Sequence, residues 1–171
     1  MFRRAFAFAL LCLAFSGAVP ARAAAAPQKH AAFVLDVNSG AVLHNDDGDA
    51  IRHPASLTKM MTLYLTFELI ESGRLKMSDM ITISDRAANA APSKLDLKPG
   101  AQISVADSIK AVVTKSANDI AVTIAEGVSG SVEAFANEMN ASASALGMRE
   151  SHFTNPNGLP DSRQVSSARD M

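Results

Sequence analysis

The chain has 171 residues, with 16 Lys and Arg against 17 Asp and Glu. A net charge of −1 without a basic cluster excludes the electrostatic footprint of a nucleic-acid binder. A single cysteine excludes a disulfide framework, and the length suits one hydrophobic core, hence one domain.

The first residues read MFRRAFAFALLCLAFSGAVPARAAAAPQKH. Arg3 and Arg4 make a charged start, Ala5 to Val19 an apolar stretch, and Ala21-Arg22-Ala23 a small-x-small cleavage site. Residues 1–23 are therefore expected to be a secretory signal peptide. The apolar run is about 15 residues, short of the ~20 that a membrane span needs. Cys12 follows Leu11, where lipoprotein signals carry a small residue, so no lipid anchor is expected there. Cleavage would leave residues 24–171 without cysteine, as fits a protein exported to the periplasm or cell envelope that does not depend on oxidative folding. It would also remove Arg3, Arg4 and Arg22, leaving 13 of the 16 basic residues against 17 acidic ones, a net −4.

Two alternating runs, Ala32 to Val37 and Ala41 to His44, flank the turn residues Asn38-Ser39-Gly40 and predict a β-hairpin. Asn45 to Asp49, NDDGD, has carboxylates in the manner of a calcium loop. It lacks the ligand spacing and closing glutamate of an EF-hand, so a solvated turn is expected.

The next segment, HPASLTKMMTLYLTFELIESG, spans His53 to Gly73. Pro54 and Ser56 are start signals and Gly73 a stop, which predicts a helix of roughly 16 residues. Its Leu, Met, Phe, Ile and Thr content predicts that it is largely buried. At about 100° per residue, Ser56, Lys59, Thr62, Leu63 and Thr66 share one stripe, away from Glu68 and Glu71. A lysine one turn inside a positive helix end, on a buried stripe, is pushed towards its neutral amine. One turn before it lies a serine hydroxyl, which needs a base to become a nucleophile. The alternative is a Ser N-cap followed by a lysine that snorkels to water.

Ile81 to Asp85 reads as a short strand, and Pro92 and Pro99-Gly100 break the following stretch into loop or a small hairpin. Ser104 caps a helix running from Val105 to about Thr114, with Asp107 as its capping-box partner. A second helix is expected from about Asp119 to Glu126, stopped by Gly127, and a third from Val132 to Leu146, between Ser131 and Gly147. Thr154 to Pro160, TNPNGLP, reads as irregular. The pattern is α/β (α+β): two strands, then mostly helices. Two strands alone make no stable sheet, so the sheet is expected to be completed by other chains or, as favoured here, by residues beyond Met171.

Between two of these helices lies TKSANDIA, Thr114 to Ala121, in which Ser116 and Asn118 would point a hydroxyl and a carboxamide into a cleft. Capping alone would also explain a Ser and an Asn at a helix junction. S-x-x-K on a buried helix followed by S-x-N about 60 residues later, in an exported chain, resembles the penicillin-binding and serine β-lactamase superfamily. The words PASLTKMMT, KSANDIA, NPNGLPD and LDVNSGAVLHNDD make the chain, from about Ala32 to Met171, similar to the low-molecular-weight D-alanyl-D-alanine carboxypeptidases.

That resemblance implies a β-lactamase/DD-peptidase-like fold, a helical lobe with an incomplete antiparallel sheet. It makes Ser56 the nucleophile that attacks the carbonyl of the penultimate D-Ala in a peptidoglycan stem peptide. Neutral Lys59 would take the proton, Ser116 would pass it towards the leaving D-Ala, and Asn118 would bind the substrate backbone and hold Lys59. Penicillins and other β-lactam antibiotics would acylate Ser56, and neither metal nor organic cofactor is implied. His30, His44, His53 and His152 lack metal-ligand spacing and are expected to be surface or packing residues.

The family's Lys-Thr-Gly triplet is absent from these 171 residues. In the family it supplies a lysine for the substrate carboxylate and a strand N–H for the oxyanion hole, beside the N–H of Ser56. Losing one such donor costs ~100–1000-fold in rate. The sequence is therefore expected to be truncated, and the fragment alone unstable and close to inactive; membrane-surface association is expected only of a full-length parent. The rivals are a β-lactamase, with Glu126 or Glu133 as the nearest deacylating candidates, a cross-link endopeptidase, and a non-catalytic wall-binding module.

Overall fold

In the computed structural model, residues 30–171 are described, so the leader expected at residues 1–23 lies outside the described residues. Ala32–Leu35 (β1) and Val42–Asp46 (β2) pair antiparallel as expected. Gly40 lies in the turn between them at φ +73°, a conformation that only glycine adopts freely. In the NDDGD turn, Asn45 Oδ1 accepts the Gly48 N–H at 2.9 Å.

A single 3₁₀ turn, Ala55–Leu57, leads into Thr58–Glu71 (α1). Here the structure corrects the sequence reading in two ways. Ser56 is not the N-cap: neither the turn nor α1 has a side-chain cap, because the 3₁₀ turn brings the chain into helix with helical backbone angles already at Leu57. The helix is also only half buried, since Met60, Tyr64 and Phe67 face outwards at 52%, 38% and 47% exposure. Lys59, Thr62 and Thr66 are buried on the predicted stripe.

Met80–Thr82 (β3) and Gln102–Ser104 (β4) form a second antiparallel ribbon, joined through a short helix, Asp85–Ala88 (α2). Nothing in the sequence marks α2, and β4 lies in the stretch that reads only as loop or a small hairpin: each is four residues or fewer, too short to show a period. Ser84 Oγ caps α2 by accepting the Ala87 N–H at 2.9 Å.

Three helices follow, Val105–Lys115 (α3), Asn118–Ser129 (α4) and Val132–Ala145 (α5). Ser104 and Ser131 cap α3 and α5 as predicted, accepting the N–H groups of Asp107 and Ala134 at 3.1 and 3.0 Å. Gly127 does not stop α4, which runs on to a left-handed C-cap at Gly130. Instead, a Cβ on Gly127 would collide with the side chain of Ile81 in β3, so this glycine permits close packing of helix on strand.

Every residue of α4 from Asn118 to Ala125 is buried, and the helix packs against α1, α2, α3, α5 and β3. It is the axis of the lobe. Phe135, Met139, Ile120, Ile124, Val132 and Phe153 fill the core around it. No helix among the described residues is long and apolar enough to cross a membrane. The β1–β2 ribbon stands apart, with Val34, Leu35, Val42 and Leu43 exposed. It is held to the C-terminal segment by Arg169, which stacks on Phe33 at 4.2 Å and pairs with Asp49.

Candidate active site

The candidate residues lie on two arms, and among the described residues no hydrogen bond joins Ser56 or Lys59 to Ser116 or Asn118. The first is the turn at the start of α1. Ala55 sits at φ +47°, a strained position for any residue with a Cβ, and Ser56 follows it with an exposed side chain. Beside it opens a cleft of ≈ 370 Å³ whose lining includes His53, Pro54, Ala55, Gly158, Leu159 and Pro160.

Lys59 is 4% exposed. Its Nζ donates to the backbone carbonyl of Asn157 at 2.6 Å and lies 3.5 Å from Ser56 Oγ, the long limit of a hydrogen bond. Burial pushes the amine down from 10.5 to about 8, because desolvation disfavours the ammonium. At pH 7 roughly a tenth of such a group is neutral, against about three in ten thousand of an ordinary lysine.

The loop that receives Lys59 is TNPNG, Thr154 to Gly158. It is pinned to α1 by Thr62 Oγ1, which donates to the Pro156 carbonyl at 2.6 Å. Inside the loop, Asn155 Oδ1 accepts the Gly158 N–H at 2.8 Å and its Nδ2 donates to the Leu159 carbonyl at 3.0 Å. Gly158, at φ +82°, presses so closely on the Ala55–Leu57 turn that a Cβ would strike the Ala55 carbonyl and lie 3.1 Å from the Ser56 backbone nitrogen.

The second arm is the α3–α4 junction. Ser116 is the left-handed C-cap of α3 at φ +55° and is half-buried. Asn118 opens α4; its N–H donates to the Ser93 carbonyl at 2.7 Å. Its Nδ2 donates to the Ala91 and Pro92 carbonyls at 2.9 and 3.1 Å. The sequence expectation that Asn118 also holds Lys59 is thus corrected: among the described residues the amine is held by the Asn157 carbonyl. Buried Asp119 next to it accepts the N–H groups of Leu95 and Asp96 at 2.9 and 3.1 Å and so ties down the same loop.

The glutamates that a β-lactamase reading would need are engaged elsewhere. Glu126 accepts from Ser84 Oγ at 2.5 Å, and Glu133 pairs with Arg86 at 2.9 Å. Among the described residues no group of three or more His, Cys, Asp or Glu could hold a metal ion. His53 Nδ1 lies 2.7 Å from the Gln164 carbonyl, and His30 lies 3.8 Å from Asp46.

Sequence reasoning missed Thr58, Asn157, Gly158 and Gln164 as parts of the site. The available signal was the Asn-Pro-Asn-Gly run, which marks a defined turn, but turn chemistry does not say what the turn rests on.

Residues 19–171 match the model of a peptidase family described as D-alanyl-D-alanine carboxypeptidase. The chain is 38% identical over 146 residues to D-alanyl-D-alanine carboxypeptidase DacF of Bacillus subtilis, covering 85% of this chain and 38% of the relative. Among solved structures, it is similar to D-alanyl-D-alanine carboxypeptidase DacD from Francisella tularensis, with a TM-score of 0.80 and 38% identity, over 82% of this chain and 34% of that one. It is also similar to penicillin-binding protein D2 from Listeria monocytogenes in its cefotaxime-bound form, with a TM-score of 0.71 and 31% identity, over 82% of this chain and 57% of that one. The chain thus spans a little over a third of the length of that curated relative.

Proposed function

The chain belongs to the D-alanyl-D-alanine carboxypeptidase family, and we propose that it carries the nucleophile and proton-transfer groups of a serine peptidase that removes the terminal D-alanine from peptidoglycan stem peptides. The observation that carries this reading is the buried Lys59 amine, 3.5 Å from Ser56 Oγ and lowered to about 8. When Lys59 is neutral, it gives an N–H to Asn157 and keeps its lone pair for the Ser56 hydroxyl. Ser56 Oγ then attacks the carbonyl of the penultimate D-Ala as its proton moves to Nζ. The peptide C–N bond breaks, and the proton passes by way of Ser116 to the nitrogen of the departing D-Ala. Water hydrolyses the resulting ester, and its other proton restores the Ser56 hydroxyl. The Ser56 backbone N–H serves as one oxyanion donor, and Asn118 binds the substrate backbone.

A β-lactam presents the same carbonyl in a ring, so penicillins acylate Ser56 in this reading. A cell-envelope location follows from the leader at residues 1–23, and fractionation of cells expressing the protein tests it. The mechanism is tested with a fluorescent penicillin and, separately, by D-alanine release from a peptide ending in D-Ala-D-Ala. Acylation is expected to depend on Ser56 and to leave a long-lived ester. Labelling that survives Ser56→Ala overturns the assignment, and rapid nitrocefin turnover would favour a β-lactamase instead.

A further inference from the structure

Gln164 is 2% exposed and lies beside no reacting atom, yet it joins every element that frames Lys59. Its Oε1 accepts the N–H groups of Thr154 and Asn155, each at 2.9 Å, and the Thr154 hydroxyl at 3.1 Å. Its Nε2 donates to Asn155 Oδ1 and to Thr58 Oγ1, each at 3.2 Å. Its backbone carbonyl meets His53 Nδ1 at 2.7 Å. One side chain therefore spans from the first residue of α1 to the base of the TNPNG loop, with both ends of its carboxamide used.

We propose that Gln164 is a positioning residue for the Ser56–Lys59 pair: it sets the spacing between α1 and the TNPNG loop, and so holds the Asn157 carbonyl on the Lys59 amine. The inference rests on the reading of Lys59 as the base. The physical argument is one of registry. Lys59 and Thr62 donate to successive carbonyls of the loop, Asn157 and Pro156, at 2.6 Å each, but both contacts are at its far side. Thr58, in contrast, is fully buried and fixes the near side only through Gln164. Without that link the loop can pivot about Pro156, and water gains a path to the amine. A buried carboxamide is suited to the task because its donor and acceptor are fixed in one plane and leaving either unpaired away from water is costly.

The test reads Lys59 directly, by NMR titration of the isotopically labelled lysine side chain. Wild type is expected to titrate near 8. Gln164→Met, which keeps the volume and removes all five side-chain bonds, is expected to move that midpoint towards the ordinary 10.5. Thr58→Val, which removes one partner, should move it less, and Thr58→Ser should restore it. Val132→Ala, a core change in α5, serves as a control that lowers the melting temperature without moving Lys59. If Gln164→Met and Thr58→Val lose stability as the control does while Lys59 still titrates near 8, Gln164 is merely structural and the proposal is overturned. Should Gln164→Met not fold, the Thr58→Val titration decides alone. Penicillin labelling is a separate readout: labelling that survives Ser56→Ala refutes the proposed function, whereas an unmoved titration refutes only the role of Gln164.

Discussion

The two arms of the site are built in opposite ways. The Ser116–Asn118 arm is local: its backbone is bent by a left-handed cap on α3, and its carboxamide is tied to carbonyls 26 and 27 residues away. The Ser56–Lys59 arm is distant in sequence, held by bonds that Lys59 and Thr62 donate to the TNPNG loop, 98 and 94 residues further on, and by the bond that Thr58 accepts from Gln164, 106 residues on. The nearer arm needs only the segment 91–93 laid against the start of α4. A distant arm exists only when the whole lobe has closed around α4, so the chemistry at Ser56 reports on tertiary structure as much as on the motif.

The sharpest break between the arms should come from the base itself. Lys59→Arg keeps the positive charge but cannot become neutral near physiological pH. Acylation by a fluorescent penicillin is expected to fall by about 100-fold or more, while Asn118→Ala leaves Lys59 titrating near 8. A Lys59 titration displaced in Asn118→Ala would show that the arms are coupled after all.

Gly158→Ala comes next. The added methyl meets the Ala55 carbonyl at a positive φ, and overpacking together with backbone strain is expected to cost about 2–4 kcal/mol. The melting temperature measures this, and an unchanged melt would mean that the loop and the nucleophile turn are not in contact.

pH provides a subtler probe. With Lys59 lowered to about 8, the acylation rate should rise with pH up to that value and then level off, as the neutral amine accumulates. Stability should follow the same group with a defined sign. The folded state releases the proton near 8 and the unfolded state near 10.5, so between these values the unfolded chain binds more protons and stability rises with pH. Below about 8 the cost of burying the ammonium is present in full. A wild-type stability that rises no more steeply across this window than that of Lys59→Met would sink the assignment.

The smallest effect should come from Asn157→Ala. Lys59 uses the backbone carbonyl of this residue, and the side chain accepts only the Leu159 N–H, at 3.1 Å. A loss of about 1 kcal/mol in stability is expected, with little change in acylation; a large loss of acylation would show that the side chain does more than shape the loop.

Much of the fold was legible because its signals are short-range. The hairpin around Gly40, the caps at Ser104 and Ser131, and the Lys59–Thr62–Thr66 stripe depend on residues a few positions apart, and each is found where the spacing puts it. The misreadings share a cause. Ser56 looks like a cap and Gly127 like a stop only until their neighbours are known, since a 3₁₀ turn takes over the first role and Ile81 explains the second. The exposed face of α1 was likewise hidden, because apolar composition says that a helix wants cover, not which side receives it.

By itself, then, the order of residues decided the hairpin and the long helices, the family and the spacing of Ser56 and Lys59 one helical turn apart. Only the tertiary structure decided that the partner of the amine is the Asn157 carbonyl rather than Asn118, and that Gln164 stands behind that contact. The reason is physical: hydrogen-bonding side chains declare what they can donate or accept, but a partner about a hundred residues away is chosen by packing, which no local pattern encodes.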